Sequence, residues 1–109
     1  MTGKSFLGEF EQMVLLGILR EGEQAFALEV RREIEDRTGR EVSRGAFYTT
    51  LDRLEGKGYV RWEKDVPRNA RGRALRRFEV TEEGMEALRT SWAAMGNLAR
   101  GLEELLEGA

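Results

Sequence analysis

Residues Val42–Val60 read VSRGAFYTTLDRLEGKGYV. Ser43 stands where a helix wants a side-chain oxygen to accept a first-turn N–H. Val42 before it and Phe47 at the fourth helical position match a hydrophobic staple. Phe47, Leu51 and Leu54 recur at i, i+4, i+7 and give one apolar face. At about 100° per residue the opposite face carries Gly45, Thr49, Asp52 and Arg53, with Arg44 and Tyr48 on its flanks. Gly45 has no side chain, so a backbone or a phosphate can approach closely. Gly58 closes the helix, and Tyr59-Val60 leads into a strand. A short helix with an apolar inner face and a small, polar, basic outer face reads as the recognition helix of a winged helix-turn-helix.

Downstream, Tyr59–Lys64 and Arg76–Thr81 alternate, with Val60 and Trp62, then Phe78 and Val80, on one face. They predict two antiparallel strands. Between them Asp65–Leu75 (DVPRNARGRAL) holds the only proline, a glycine, and Arg68, Arg71 and Arg73. It is too long for a tight turn. A solvated hairpin tip is the plain reading; three arginines with no acid after Asp65 favour a binding wing. Upstream, Ala25–Arg37 predicts a helix with Phe26, Val30 and Ile34 on one face and Gly39 as its stop. Leu28 falls on its wet side, so it either meets another element or stays exposed. Glu9–Arg20 predicts a first helix ended by Gly22. Phe10, Met13, Val14 and Ile18 cover one side, Leu15 and Leu19 lie roughly opposite, and Leu16 points elsewhere. A helix apolar nearly all round is buried on more than one side.

Thr81 caps the last helix, with Glu82 and Glu83 in its first turn, where the helix dipole favours acids. Met85, Leu88, Trp92, Met95, Ala99, Leu102 and Leu106 then follow at spacings alternating between three and four. About 25 residues make a helix of roughly 37 Å, more than the preceding small domain can cover. Homodimerisation through this seam, with Leu15 and Leu19 of the first helix, accounts for both apolar excesses. Folding back onto its own chain is the alternative. The architecture expected is mainly α with a small β-hairpin: a winged helix-turn-helix over residues 1–81 and a long C-terminal dimerisation helix over 82–109.

The net charge of −2 hides a segmentation. Residues 1–37 carry five basic and eight acidic side chains, a net of −3. Residues 38–77 carry eleven and five, a net of +6, and residues 78–109 carry two and seven, a net of −5. A basic middle between acidic ends fits a nucleic-acid face on an otherwise acidic protein. The chain has no cysteine and no histidine, which removes thiolate chemistry and the commonest acid/base and zinc-binding residue. No metal or cofactor is expected, nor an enzyme. No apolar run approaches a membrane span and no signal-peptide core opens the chain. A cytoplasmic protein is the expectation.

In this order the pieces resemble the PadR-like family of bacterial transcriptional regulators. FEQMVLLGILREG and FALEVRREIEDRTG are similar to its first two helices. SRGAFYTTLDRLEGKGYV is similar to its recognition stretch, and RALRRFEVTEEG resembles its strand-to-helix join. The chain departs at Thr49, where a proline is usual, at Phe78, where a tyrosine is common, and at Phe26-Ala27-Leu28, where histidine–glycine–tyrosine is usual. That last departure implies a packing role for Leu28. The resemblance implies a homodimeric repressor of the shorter type, in which a single C-terminal helix mediates dimerisation. Its partner would be double-stranded DNA with a pseudo-palindromic operator. From the residues themselves, Ser43, Tyr48 and Thr50 are candidates for backbone oxygens. Arg44, Thr49 and Arg53 are candidates for base edges, and Arg68, Arg71 and Arg73 for flanking phosphates or a minor groove. Related regulators bind flat aromatic compounds near their dimer interface, which makes Trp92, Met13, Leu16 and Met95 candidates for an effector site. A bulky core residue is the other reading of Trp92. A winged-helix module that binds protein and not DNA is the rival function.

Overall fold

The structure is a computed structural model that describes residues 6–68 and 72–108. Helix α1 spans Glu9–Glu21, α2 Ala27–Thr38 and α3 Arg44–Gly56. Strands β1 (Val60–Asp65) and β2 (Leu75–Val80) follow, then α4 (Glu82–Ala99) and a single turn, α5 (Glu103–Leu106). The boundaries follow local chemistry. Glu11 at the third position of α1 accepts the Gly8 N–H at 2.9 Å. Ser43 accepts the Ala46 N–H at 3.1 Å, and Thr81 accepts the Gly84 N–H at 3.1 Å. Each bond satisfies a donor that a helix start leaves open.

Helix α1 lies at the centre, touching α2, α3, β2 and α4. Val14, Leu15 and Ile18 are buried there with Val30, Ile34, Phe47, Leu51 and Leu54. Its nearly all-round apolar surface is therefore used mainly by its own chain. Leu15 is fully buried, so it is not the interface residue that the sequence suggests. Leu16 and Leu19 remain outside, each more than 40% exposed.

The two strands pair antiparallel, with Val60 opposite Val80 and Trp62 opposite Phe78. A further bridge joins Phe26, just before α2, to Arg77, and the Phe78 N–H donates to the Ala25 carbonyl at 2.8 Å. The hairpin is thus anchored to the start of α2.

Helix α4 packs through Gly84, Leu88 and Ser91. Leu88 belongs to this chain's core and not to an outward seam. The Ser91 hydroxyl accepts the Leu7 N–H at 2.9 Å, tying the beginning of the described chain to α4. Beyond Ser91 the helix leaves the domain: Trp92, Met95 and Leu98 are between 65% and 77% exposed. The sequence predicts one helix through Leu106, and the structure corrects this. Gly96 stays helical, but α4 ends at Ala99, Arg100 is extended and Gly101 adopts φ 91°. Only glycine enters that region without strain. The heptad spacing continues on paper across this break. Among the described residues no helix is long and apolar enough to cross a membrane.

Gly84 marks the tightest approach. A Cβ there would sit 2.2 Å from the Tyr59 carbonyl oxygen and 2.9 Å from Val80 Cγ1. Because the first of these is backbone, Gly84→Ala should cost at least about 2 kcal/mol. A denaturation midpoint equal to that of the parent chain would contradict this packing.

Candidate nucleic-acid interface

Both ends of α3 are held by carboxylates on other helices. At its entrance, Val42 donates its N–H to Glu35 Oε2 at 2.8 Å and its carbonyl accepts from Arg31 Nη2 at 3.4 Å. At its exit, Lys57 Nζ donates to Glu11 Oε2 at 2.9 Å. A third tie comes from β1, where Trp62 Nε1 donates to Glu55 Oε2 at 3.0 Å. Burial pushes the Glu11 carboxyl up. The Gly8 N–H, the Lys57 ammonium and the Arg53 charge together outweigh that and hold it below its ordinary value.

Held this way, α3 turns Gly45, Thr49, Asp52 and Arg53 outward, all exposed. Arg44 and Tyr48 form one flank, the guanidinium 5.7 Å from the ring centroid. Tyr48 is half-buried and meets Phe47 edge-on at 5.8 Å. Thr50 is a correction. It is only 5% exposed and does not stand with the outward residues. On a helical wheel it lies about 40° from Leu54, so the core claims it. Ser43 is exposed while its oxygen caps the helix.

The wing carries Arg68 and Arg73, both exposed; Arg71 lies outside the described residues. The base of the wing is fixed by Arg77, which bonds Glu63 and, at 3.0 Å, Asp65. Asp65 also accepts the Val66 N–H. That backbone bond and then the Arg77 guanidinium hold its carboxyl below the usual range.

The distribution of ion pairs is uneven. Arg20 and Arg37 pair with Glu33, Arg40 with Glu9, and Lys57 with Glu11. Arg61 pairs with Glu79, Arg77 with Glu63 and Asp65, and Arg89 with Glu86. Arg100 bonds the Asn97 amide. Among the described residues, the cations without such a partner are Arg31, Arg32, Arg44, Arg53, Lys64, Arg68, Arg73 and Arg76. All belong to α2, α3 and the wing. Arg31, Lys64 and Arg76 are additions to the sequence-based site. Hairpin register was the missing signal: Lys64 faces Arg76 directly, in the row that also carries Val60, Trp62 and Phe78. Arg76 lies 4.4 Å over the Trp62 ring.

The effector candidates divide. Met13 and Leu16 line a small groove between α1 and α2. Trp92 is 72% exposed on α4, not a core residue of its own chain, and Met95 is exposed beside it. Among the described residues no group of three or more acidic side chains is placed to hold a metal.

The sequence model of the transcriptional regulator PadR-like family matches residues 15–90, from α1 to the middle of α4. The chain belongs to the PadR-like family of transcriptional regulators. The fold agrees. A PadR-like transcriptional regulator from Bacillus cereus superposes with a TM-score of 0.73 at 20% identity, covering 92% of this chain and 93% of that one. A PadR-like transcription factor from Bacteroides fragilis gives 0.68 at 20%, covering 88% of each. A winged-helix DNA-binding protein from STIV gives 0.68 at 16%, covering 89% and 98%. No individually curated protein is significantly similar. In this PadR-like chain Leu28, expected to pack, is 46% exposed.

Because its carboxyl is held low in the folded state, Glu11 stabilises the fold above its unfolded value, about 4.3, and that contribution is lost as pH falls through the folded value. Glu11→Gln should therefore be less stable than the parent at pH 7, with the difference closing on acidification. Urea denaturation across pH measures it; a gap that persists at low pH would rule out the ionised pair as its source.

Proposed function

We propose that this chain is a homodimeric, sequence-specific DNA-binding repressor, with residues 1–81 binding DNA and residues 82–109 joining two copies. The observation that carries the reading is the partition of cations. Every described cation without an ion-pair or amide partner in the chain lies on α2, α3 or the wing and is left for an outside anion, whereas the other described cations, Arg37, Arg61 and Arg77 of those same elements included, are bonded within the chain. Phosphates supply that charge, and displaced counterions drive the association. The α3 N-terminus, Ser43 and Tyr48 would position the helix on the backbone. Arg44, Thr49 and Arg53 would meet base edges in the major groove. Arg68 and Arg73 would reach flanking phosphates. Thr50 is left out because its side chain is largely buried.

The second copy is proposed from exposed apolar surface. Leu19, Trp92, Met95, Leu98, Leu102, Leu105 and Leu106 are all more than 40% exposed, an unusual concentration for a lone chain. Met85 and Ala99 are half-buried at the margin. A two-fold pair would set two recognition helices about 34–36 Å apart and favour a pseudo-palindromic site. Relief by a planar aromatic compound at Trp92 needs that second copy to enclose it. Repression follows if the operator overlaps a promoter.

Mobility shift on the DNA upstream of its own gene tests the core of this reading, and no retardation at low salt would favour a protein-binding winged helix. Arg53→Ala should weaken specific binding by roughly 1–3 kcal/mol and leave non-specific binding nearly unchanged. An equal loss on all DNA would make Arg53 a phosphate contact. Met95→Glu should halve the mass seen by sedimentation without changing helical content; an undiminished dimer would place the interface elsewhere.

A further inference from the structure

Between α2, the start of α3 and the wing lies an open cleft of about 750 Å³, within the roughly 300–1,000 Å³ range of small-molecule sites. Its cations are Arg31, Arg44, Lys64 and Arg76, against one acid, Glu29. Lys64 and Arg76 are direct cross-strand partners, a like-charge arrangement that costs stability unless an anion lies near. Arg31 Nε is, among the described residues, the only buried side-chain nitrogen or oxygen without a hydrogen-bond partner. Its donor is unused although Nη2 of the same guanidinium bonds the Val42 carbonyl. Helix α2 begins here with no side-chain cap, so its first-turn N–H groups add to the positive field.

Charge is half of the character of this cleft. Phe26 and Phe78 line it, both buried, and Leu28 and Leu75 stand at its mouth, 46% and 38% exposed. A bare phosphate has no use for such a lining, whereas a molecule with an apolar body and an anionic head satisfies both parts.

We propose that this cleft binds a small amphipathic organic anion, its head among Arg31, Arg44, Lys64 and Arg76 and its body against Leu28 and Leu75. Because Arg44 and Tyr48 line the cleft and also belong to the proposed DNA face, the anion and DNA exclude one another. Only this regulatory part rests on the DNA-binding reading; the binding itself does not. The site is formed within one chain and is separate from the Trp92 face.

Calorimetric titration of the full chain with 2-naphthoate tests it, with 2-naphthamide and inorganic phosphate as controls. The carboxylate should bind at least about tenfold more tightly than the amide, which lacks the charge-assisted contact, and more tightly than phosphate. Leu28→Asn and Arg76→Gln should each weaken it about fivefold or more. Leu28→Asn should leave DNA binding as it is. The carboxylate should raise the protein concentration needed to retard DNA for the parent chain, and do so less for Leu28→Asn. Equal binding of the amide would mean unspecific apolar surface, and equal binding of phosphate a bare anion site. Indifference to both substitutions would place the carboxylate elsewhere; each of these outcomes overturns the proposal. Carboxylate binding without any DNA retardation would uphold the cleft and remove the DNA reading. DNA retardation without carboxylate binding would remove the cleft alone.

Discussion

Val42 gives both of its backbone groups to α2, and the placement of α3 depends on it. Glu35 takes the N–H and Arg31 fills the carbonyl, so the chain leaves the turn in one direction only. With Val42 itself buried beside Phe47 and Leu51, the start of α3 has no freedom to roll. The Glu11–Lys57 pair does the same for the other end. A helix whose outer face is short and carries an acid, Asp52, gains little from its own side chains. What it gains comes from being rigidly aimed, because a fixed set of donors loses less entropy when a ligand arrives.

Where a local rule names the partner, as at a helix cap or along a single apolar face, the sequence is a sufficient guide. Ser43 and Thr81 cap the helices expected of them. The apolar spacing of Phe47, Leu51 and Leu54 names the buried face, and the alternation of Val60, Trp62, Phe78 and Val80 names the inward face of two antiparallel strands, though not their register. Thr50 has a hydroxyl suited to a backbone oxygen, but its angle decides its place: a threonine on the edge of an apolar stripe is drawn into the core. Leu15 and Leu88 are buried by their own chain and not by a second copy, because periodicity says that a face is covered but not by what. The helix through Leu106 failed at Gly101, where a repeat of spacings carries no statement about backbone conformation. Lys64, Arg76 and Arg31 could not be gathered into one cleft before the hairpin was seen to fold against α2.

Charge on this molecule is sorted by local geometry more than by net count. Arg61, Glu63, Arg77 and Glu79 alternate across the outward row of the hairpin and neutralise one another. One residue over, the inward row ends in Lys64 and Arg76 with no acid between them. Period-two alternation therefore separates a self-satisfied face from an unsatisfied one within a single pair of strands. The acidic overall charge and the basic working face are compatible because the acids are spent elsewhere, on α1, α2 and the outer wing.

The attachment of α4 has a consequence for motion. Only Gly84, Leu88 and Ser91 are buried along its 18 residues, and the Leu7–Ser91 bond closes a loop of 84 residues. The first half of α4 therefore shares the stability of the domain, while the half beyond Ser91 buries none of its side chains. In a lone chain, amide protons on the far half should exchange with solvent faster than those on the half that is packed. Slow exchange at those same amides reports directly that something has come to lie against them.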